Sequence, residues 1–308
     1  MAGIQKEIWV DQLIRRDGEF YKDSSVIKHM RNMTNFVEYN RINFAYSGIP
    51  GAVERNPTYP RPVVERTDIP DFVELDNYAT EAIMVRDIET IELAYNKRES
   101  YLSDTRDNLA ARIEIDCMWN LGPTSDSSHT PIVHTPGTNA LAADGYRVVT
   151  AEDIKHLRER LNTKYPAHKN DAWVLVLDAE SYWNMVANDT HLKNQQSLNQ
   201  QTGVRDGVFV RYFGFDIIED NRTPWYAAGG IKLGLGATPV LASDCPSCIA
   251  YVKGKSGYYA LGTTKMFANL DNPIEQGSIW SFLTRAKAGM FGALTGQETL
   301  CGAILRTT

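Results

Sequence analysis

The sequence contains no apolar run long enough to cross a membrane and no excess of positive charge. Its longest apolar stretches, such as 173–177, fall far short of the roughly 20 residues of a membrane helix. Lys and Arg number 32 against 38 Asp and Glu, a formal net charge of -6 over 308 residues, so no global basic field exists to hold nucleic acid. Residues 1–20 mix both charge signs and lack the apolar core of a signal peptide. We therefore expect a protein that is made and used in a cytoplasm.

Cysteine is scarce, and its spacing indicates little chemistry. Of the four cysteines, Cys245 and Cys248 form a recognisable spacing, CPSC. A CxxC pair could be a redox pair or half of a zinc site, but a structural zinc site usually needs a second ligand pair. His129 and His134 lie in a loop-like run that is expected to face water. The CPSC pair is interpreted as small residues in a turn, with metal or redox use as the alternative, and Cys117 as a helix core position.

Catalytic motifs are also lacking. The chain has no P-loop, no nucleophile elbow, no HExxH and no Rossmann glycine fingerprint. The glycine run at 227–239 is suggestive, but a phosphate cradle needs glycines directly before a helix, and Ala-Thr-Pro follows here. Carboxylate pairs, such as Asp68 with Asp71, lie in predicted turns or caps, where they stay hydrated or accept backbone N–H groups. We predict no catalytic residue, no cofactor and no metal ligand.

The most distinctive feature that is present is a proline-rich segment from 46 to 77. Its five prolines remove five backbone donors and fix φ, which excludes a long helix or a central strand. Structureless connections longer than about 12 to 15 residues are uncommon in compact domains. Because a capped helix follows, we interpret the segment as an extended arm that lies on a neighbouring molecule. The alternating runs 36–44 and 82–94 are interpreted as its outgoing and returning strands, so that the whole forms a long projecting hairpin.

The remaining pattern predicts a mixed α+β chain. Apolar spacing predicts a short helix over 4–16 and a long one over 103–121, which Ser103 or Asp104 caps and Gly122 ends. The further predicted elements are a helix after a capping box at Thr150 to Asp153, a strand at 173–177, a helix at 179–188, strands at 208–218, 248–252 and 257–267, a hairpin turn at Gly254 and Gly257 between the last two, and closing segments at 278–290 and 299–305.

Several segments, in a fixed order along most of the chain, resemble the major capsid proteins of tailed bacteriophages and their prophages. The segments are NPTYPRPVVERTD at 56–68, IETIELAYNKRESYLSDTRDNLAARIEIDCMWNLGP at 88–123, VTAEDIKHLRERL at 149–161, WVLVLDAESYWNMV at 173–186, GVFVRYFGFDIIEDNRTP at 207–224 and CIAYVKGKSGYYALG at 248–262. Their shared order carries the resemblance.

The resemblance implies the Hong Kong 97-type capsid fold, an α+β fold with an N-terminal arm, an extended loop, a peripheral domain with a long spine helix, and an axial domain. On this chain the implied bounds are 1–36 for the arm, 37–80 for the extended loop, 81–178 and 271–308 for the peripheral domain, 179–270 for the axial domain and 103–121 for the spine helix. The implied peripheral sheet combines residues near 81–95 with the C-terminal strands near 277–308.

The resemblance also implies a function. It implies a non-enzymatic major capsid protein that self-assembles, as pentamers and hexamers, into an icosahedral head shell. The shell encloses double-stranded DNA without sequence-specific binding, and it is assembled in the cytoplasm of the bacterial host. Expected partners are a separate scaffold, a portal and decoration proteins, with no membrane. Two alternatives stay open: an encapsulin-like nanocompartment that holds a cargo enzyme, and a cytoplasmic metal or redox enzyme that uses the CPSC pair.

The proline-rich segment also carries the candidate contacts between subunits. The candidates are Glu54, Arg55, Arg61, Glu65, Arg66, Asp68 and Asp71. An exposed ion pair contributes only about 0.2 to 1 kcal/mol, but in a shell it would be repeated at every copy. The alternative is that these charges only solvate an exposed arm.

Overall fold

The computed structural model describes residues 26–46, 53, 55–61, 63, 65, 68–86, 97–127, 130–189, 211–272, 274, 276–291 and 299–308, and the predicted helix over 4–16 lies outside them. The helices are α1 (Lys97–Leu121), α2 (Ala151–Lys164) and α3 (Ala179–Asn188). The strands are β1 (Arg31–Asn32), β2 (Val37–Glu38), β3 (Arg41–Tyr46), β4 (Ile69–Glu74), β5 (Asp76–Ala79), β6 (Ile83–Arg86), β7 (Ile132–His134), β8 (Trp173–Leu177), β9 (Arg211–Tyr212), β10 (Phe215–Glu219), β11 (Trp225–Tyr226), β12 (Cys245–Val252), β13 (Gly257–Asn272), β14 (Gly277–Met290) and β15 (Cys301–Leu305).

One sheet of the described strands has the order β7-β15-β12-β8-β10-β9, with β11 beside β12. The apolar run that predicts β8 is buried on both sides. Trp173, Leu175 and Leu177 pack in a cluster with apolar residues of α2 and α3, whereas Val174 and Val176 pack in a cluster with α1. A strand that is covered on both faces needs apolar residues at every position, which explains why this run does not alternate.

The long helix α1 separates this sheet from a second one. Its buried stripe, Leu109, Ile113, Cys117 and Leu121, confirms the predicted four-residue spacing. The same cluster includes alanines of β14, so α1 packs between the two sheets. The helix begins at Lys97, not at the predicted cap Ser103. Lys, Arg, Glu and Leu before Ser103 are all good helix formers, so they extend the helix past a residue that can also act as a cap.

The second helix begins where its sequence predicts. α2 starts at Ala151, directly after the predicted capping box. One oxygen of Asp153, Oδ2, accepts hydrogen bonds from the backbone N–H and from the hydroxyl of Thr150, both at 2.8 Å. The apolar stripe of this helix, Ile154, Leu157 and Leu161, is fully buried against the seven-stranded sheet.

The second sheet has the order β1-β13-β14-β5, with β6 also paired to β14. The long strands β13 and β14 form its centre, and β6 pairs with residues 277–280. The resemblance implies a peripheral sheet that combines residues near 81–95 with the strands near 277–308. This expectation is wrong for β15, which lies between β7 and β12 in the seven-stranded sheet. All five residues of β15 are buried, as the middle of a covered sheet requires.

The predicted hairpin at Gly254 and Gly257 is also wrong. β12 pairs with β8 on one edge and β15 on the other, so no edge is left for β13. The connection instead carries the chain from one sheet to the other. Gly254 makes this turn at a φ of 69°, and its N–H donates to the carbonyl of His29 at 2.7 Å. The ion pair of Lys253 with Asp216, at 2.7 Å, ties the same connection to β10.

A third sheet, β2-β3-β4, forms a ribbon, and both of its predicted strands are corrected. The predicted outgoing strand 36–44 contains a turn at 39–40, because β2 pairs back on β3, so that only β3 runs outward. β3 pairs with β4, in the register Arg41 to Glu74 through Tyr46 to Ile69, whereas the predicted return at 82–94 contains β6, a strand of the second sheet. The proline-rich stretch therefore ends in a strand. Pro70 is accepted there because β4 is the edge of this sheet, where one missing N–H breaks no second ladder.

The strand pairing also crosses the domain boundaries that the resemblance implies. β8 and β15, on the peripheral side of those boundaries, share a sheet with β10 and β12, on the axial side. Likewise β13, on the axial side, pairs along its length with β14, on the peripheral side. Sheets are continuous hydrogen-bonded units, so a division of this chain that keeps them whole has different bounds.

Candidate interface for subunit association

The β3/β4 ribbon is anchored at its base. Ile42 of β3 and Leu75, just after β4, are buried in a cluster with residues of β13. The ring of Phe44 lies 4.9 Å from that of Tyr258 and 6.0 Å from that of Phe291, which fixes the ribbon against the second sheet. These apolar contacts hold the first half of the ribbon on the body of the chain.

Beyond this base, the described residues between β3 and β4 are exposed, apart from the half-buried Pro57. Val53 and Val63 are 96% and 99% exposed, and Tyr59 is 78% exposed. Apolar side chains that are exposed to this extent contribute little to the stability of their own subunit, because only their burial would contribute. Their position on a projecting segment makes the tip the candidate for contact with another molecule.

The structure places the seven predicted contact residues along this ribbon as follows. Arg55, Arg61, Glu65 and Asp68 are exposed, Asp71 lies in β4 opposite Phe44, and Glu54 and Arg66 lie outside the described residues. Their contact with another subunit is not visible in a single chain and stays a prediction.

Sequence reasoning missed a charged pair at the base of the ribbon. Arg41 and Glu74 face each other across the two strands, with an N–O distance of 3.5 Å. The guanidinium of Arg41 also lies 4.6 Å from the centre of the Phe72 ring. The signal that could have found this pair is the correct strand register, because opposite charges directly across a ladder attract each other.

The CPSC pair lies in the central strand β12, not in a turn as expected. Cys245 and Cys248 are both buried and free. Burial raises the pKa of both thiols, so neither is a ready thiolate for metal or redox chemistry. Among the described residues, no group of three or more His, Cys, Asp or Glu is placed to hold a metal ion. His134, a suggested ligand, is exposed, as expected, and His129 lies outside the described residues.

Cys248 instead belongs to a buried ionic network that the sequence did not reveal. Its thiol donates to Asp178 at 3.3 Å. Arg306, 1% exposed, donates to both oxygens of Asp144 at 2.8 and 2.9 Å and to Asp178 at 2.5 Å. Asp178 also accepts from the N–H of Ser181 and so caps α3. The network joins the end of β15, the end of β8 and the loop after β7.

The glycine run at 227–239 precedes no helix and contains a half-buried cation. Lys232 donates to the carbonyls of Trp119 and Gly122 at 3.0 and 2.8 Å, at the C-terminal end of α1. Its ammonium lies 4.0 Å from the centre of the Trp119 ring. Burial lowers the pKa of Lys232 to about 8. The negative end of the helix and the ring face both favour the cation, which makes this lysine a cap for α1.

Within the described residues, no helix combines the length and the apolar character that a membrane crossing needs.

Comparison with known proteins gives matches in structure alone: no family model matches the sequence, and no curated protein matches it significantly. The chain superposes on the capsid of the cyanophage P-SCSP1u with a TM-score of 0.62 at 13% identity, over 90% of this chain and 86% of that one. It superposes on the capsid of Ralstonia phage GP4 with a TM-score of 0.63 at 10% identity, over 91% of this chain and 88% of that one. For the mature capsid of bacteriophage PhiM1 the TM-score is 0.59 at 12% identity, over 92% of this chain and 87% of that one.

The match spans nearly the whole length of both partners in each case. The chain therefore has the α+β fold of tailed-phage capsid subunits, the Hong Kong 97-type fold, which confirms the fold that the resemblance implies.

Proposed function

We propose that this chain is the major capsid protein of a tailed double-stranded DNA phage. Copies of it assemble, as pentamers and hexamers, into the head shell of the virion. The observation that carries the proposal is the capsid fold over about nine tenths of the chain, together with a projecting ribbon whose apolar residues have no cover of their own. A shell subunit needs such overlapping parts, because they enlarge each contact beyond the roughly 1,600 Å² of an ordinary interface.

The charge of the chain suits a container. With a net charge of -6, the protein has no overall positive charge to hold the packaged DNA by counterion release. The role is structural and non-enzymatic, carried out in the virion after assembly in the host cytoplasm with a separate scaffold. Portal and decoration proteins complete the particle.

We also propose a division into domains that keeps each sheet whole. The seven-stranded sheet with α2 and α3 forms the axial domain, and the β13/β14 sheet with α1 forms the peripheral domain. Residues 1–36 form the N-terminal arm, and the β3/β4 ribbon with its tip forms the extended loop. This division retains the four parts that the resemblance implies and moves the bounds between the two domains.

Electron microscopy and sedimentation of the purified protein test the function. We expect closed shells or free capsomers, with or without a coexpressed scaffold. A stable monomer under all assembly conditions would contradict the proposal. Nucleic acid inside native particles supports the viral shell, whereas a co-purifying enzyme would support the nanocompartment alternative, which the phage capsids reported above do not favour.

The double variant Cys245→Ser with Cys248→Ser tests the enzyme alternative separately. We expect particles without bound metal, and the same shells from the variant as from the parent, because both thiols are buried and protonated. Elemental analysis that finds stoichiometric metal in the parent and none in the variant would reinstate that alternative.

A further inference from the structure

A second surface, apart from the ribbon, is apolar, exposed and nearly without charge. Residues 227–243 contain one charged residue, Lys232, in a chain of which 23% is charged. Four aliphatic residues of this segment, Ile231, Leu235, Val240 and Leu241, are 40% to 68% exposed. Leu141, 59% exposed, lies beside them: it pairs with Arg147, and the hydroxyl of Tyr146 donates to the carbonyl of Leu241 at 2.7 Å. We call residues 227–243 with Leu141 the uncharged surface.

The one cation of this surface is turned away from solvent. Lys232 points into the end of α1, where it donates to Trp119 and Gly122. The indole N–H of Trp119 donates in return to the carbonyl of Leu233 at 2.9 Å. The segment is thereby fixed in position, and the face it presents is formed mainly by aliphatic side chains. The charged neighbours are Arg147, which pairs with Leu141, and Asp244, which is buried and accepts from the N–H of Val240 at 2.7 Å. A partner for such a face must itself be apolar, since a charged group buried there would have nothing to pair with.

The uncharged surface adjoins β7, at one end of the seven-stranded sheet. A Cβ added at Gly230 would lie 3.7 Å from Nε2 of His134, the last residue of β7. Among the described strands, β9 lies at the other end of the same sheet. Five intervals of about 4.8 Å separate the two edge strands, which sets them roughly 24 Å apart.

The β9 edge carries an exposed aromatic residue in a strained position. Tyr212 pairs with Phe215, so Phe213 and Gly214 form a two-residue hairpin turn. Both have positive φ, 47° and 80°, which in such turns favours Asn-Gly and disfavours a bulky residue at the first position. Phe213 is nevertheless 45% exposed. The strained backbone of Phe213 is thus not offset by full burial of its side chain. Strained residues of this kind cluster at functional contacts.

We propose that the Phe213 turn of one copy binds the uncharged surface of the next copy. The two surfaces lie on opposite edges of one sheet, so the contact is head to tail, and head-to-tail contacts close into rings when the rotation allows it. This inference rests on the proposed function, because rings of this kind are the capsomers of the shell.

A second copy fits the aliphatic character of the surface. Twelve of the 17 residues of the segment are exposed, and a standard protein interface uses about 20 to 30 residues on each side. With Leu141 the surface therefore supplies about half of one side of such an interface. An aromatic anchor among aliphatic residues is also the arrangement that carries most of the binding energy in measured interfaces.

The variant Phe213→Asn tests the contact with a distinctive result. Asparagine relaxes the turn and removes the ring, so we expect an unchanged or higher melting temperature of the free subunit, together with association at least about tenfold weaker by sedimentation. Leu241→Lys is the matching variant on the other surface: it should fold as the parent does and associate equally weakly. Assembly of either folded variant at the parent's concentration dependence would overturn the proposal.

A mixing experiment tests the pairing of the two surfaces. In an equimolar mixture, the intact uncharged surface of Phe213→Asn can bind the intact Phe213 of Leu241→Lys, but the chain of contacts stops there. We expect dimers in the mixture by native mass spectrometry, and monomers of each variant alone. A mixture that stays monomeric would overturn the pairing.

The two proposals can fail separately. If the parent protein forms no shell or capsomer under any condition, the proposed function fails. If the parent forms shells and the Phe213→Asn and Leu241→Lys variants form them equally well, the function stands and the assignment of these two surfaces is wrong.

Discussion

At the scale of single residues, Arg306 is the side chain on which the most depends. It is 1% exposed and joins Asp144 and Asp178, and its Nε donates to the carbonyl of Arg147 at 3.0 Å. A buried ion pair contributes little more to the free energy of unfolding than a well-packed apolar pair would. Removing one partner is costly, however, because it leaves the other charge buried and unpaired. The end of β15, the cap of α3 and the loop after β7 all share this one cation.

Arg306→Met should therefore lower the free energy of unfolding by about 3 to 5 kcal/mol, since two carboxylates lose their cation. Urea unfolding of the free subunit measures this. The control is Arg41→Met, which breaks an exposed pair with Glu74 and should cost less than about 1 kcal/mol. Equal losses for the two variants would show that the buried network contributes no more than a surface pair.

His29 makes the stability depend on pH. Burial, with the charges of Lys253 and Lys28, lowers the pKa of His29 to about 4, from 6.5. The unfolded chain binds a proton at higher pH than the folded chain does, so stability rises with pH across this window and falls as pH drops from 6.5 to 4. The ring is held neutral by its surroundings, and Nδ1 is hydrogen-bonded to the hydroxyl of Tyr251 at 3.0 Å.

We expect the urea midpoint of the parent protein to fall between pH 6.5 and pH 4, and His29→Gln to reduce that fall. The comparison is made on free subunits, so that assembly does not contribute. If the two proteins lose stability in parallel over this range, His29 is not the group responsible.

At the scale of elements, the ribbon divides into an anchored base and an exposed tip. The base is fixed by Ile42 and Phe44, whereas Val53 and Val63 contact little of their own chain. Stability and association should therefore be separable along one element.

Replacing residues 49–67 by Asn-Gly removes the tip and leaves β3 and β4 able to pair. We expect the free energy of unfolding of the free subunit to change by less than about 1 kcal/mol, because exposed side chains contribute little to it. Shell yield by electron microscopy should fall strongly. Ile42→Ala is the opposite control: it should destabilise the subunit by about 2 to 5 kcal/mol. Normal shells from the shortened protein would contradict the role of the tip.

The elements that the sequence predicted well are those whose signal lies within a short stretch of the chain. The stripe of α1, the capping box at Thr150 and the apolar run of β8 are local signals, and the structure has all three. Strand partners were predicted less well, because pairing depends on which edges are still open. Gly254 illustrates this: its short glycine-containing connection is typical of a hairpin, but both edges of β12 are already taken.

The candidate interface shows the same limit. Proline content at 46–77 indicated a projecting segment, but the sequence did not indicate which residues are exposed on it. The strained turn at Phe213 was also overlooked, although Phe-Gly between two apolar runs is a readable turn signal. Arg306 carried no local signal, because its partners Asp144 and Asp178 are more than a hundred residues away along the chain.

At the scale of the whole molecule, the two large sheets form one packed body. α1 contributes to a single cluster with Val174 and Val176 of one sheet and with Ala286 and Ala288 of the other. The connection between the sheets is tied by Lys253 to Asp216 and, at 2.7 Å, by Lys255 to Asp171.

The free subunit should therefore unfold in one transition. Because α1 belongs to the core of both sheets, neither can lose its packing alone, and the calorimetric and van't Hoff enthalpies should agree. Differential scanning calorimetry at a concentration below assembly measures this. Two resolved transitions would show that the sheets unfold as independent units.

The position of β15 has a consequence for synthesis. This strand lies between β7 and β12, and among the described strands β7 has no other partner. A ribosome releases residues in order, so the sheet stays open along β12 until residues 301–305 have emerged. Until β15 pairs, the edge of β12 is open and can pair with another chain. The closing of this sheet therefore depends on a strand that is made after both of its neighbours, β7 and β12.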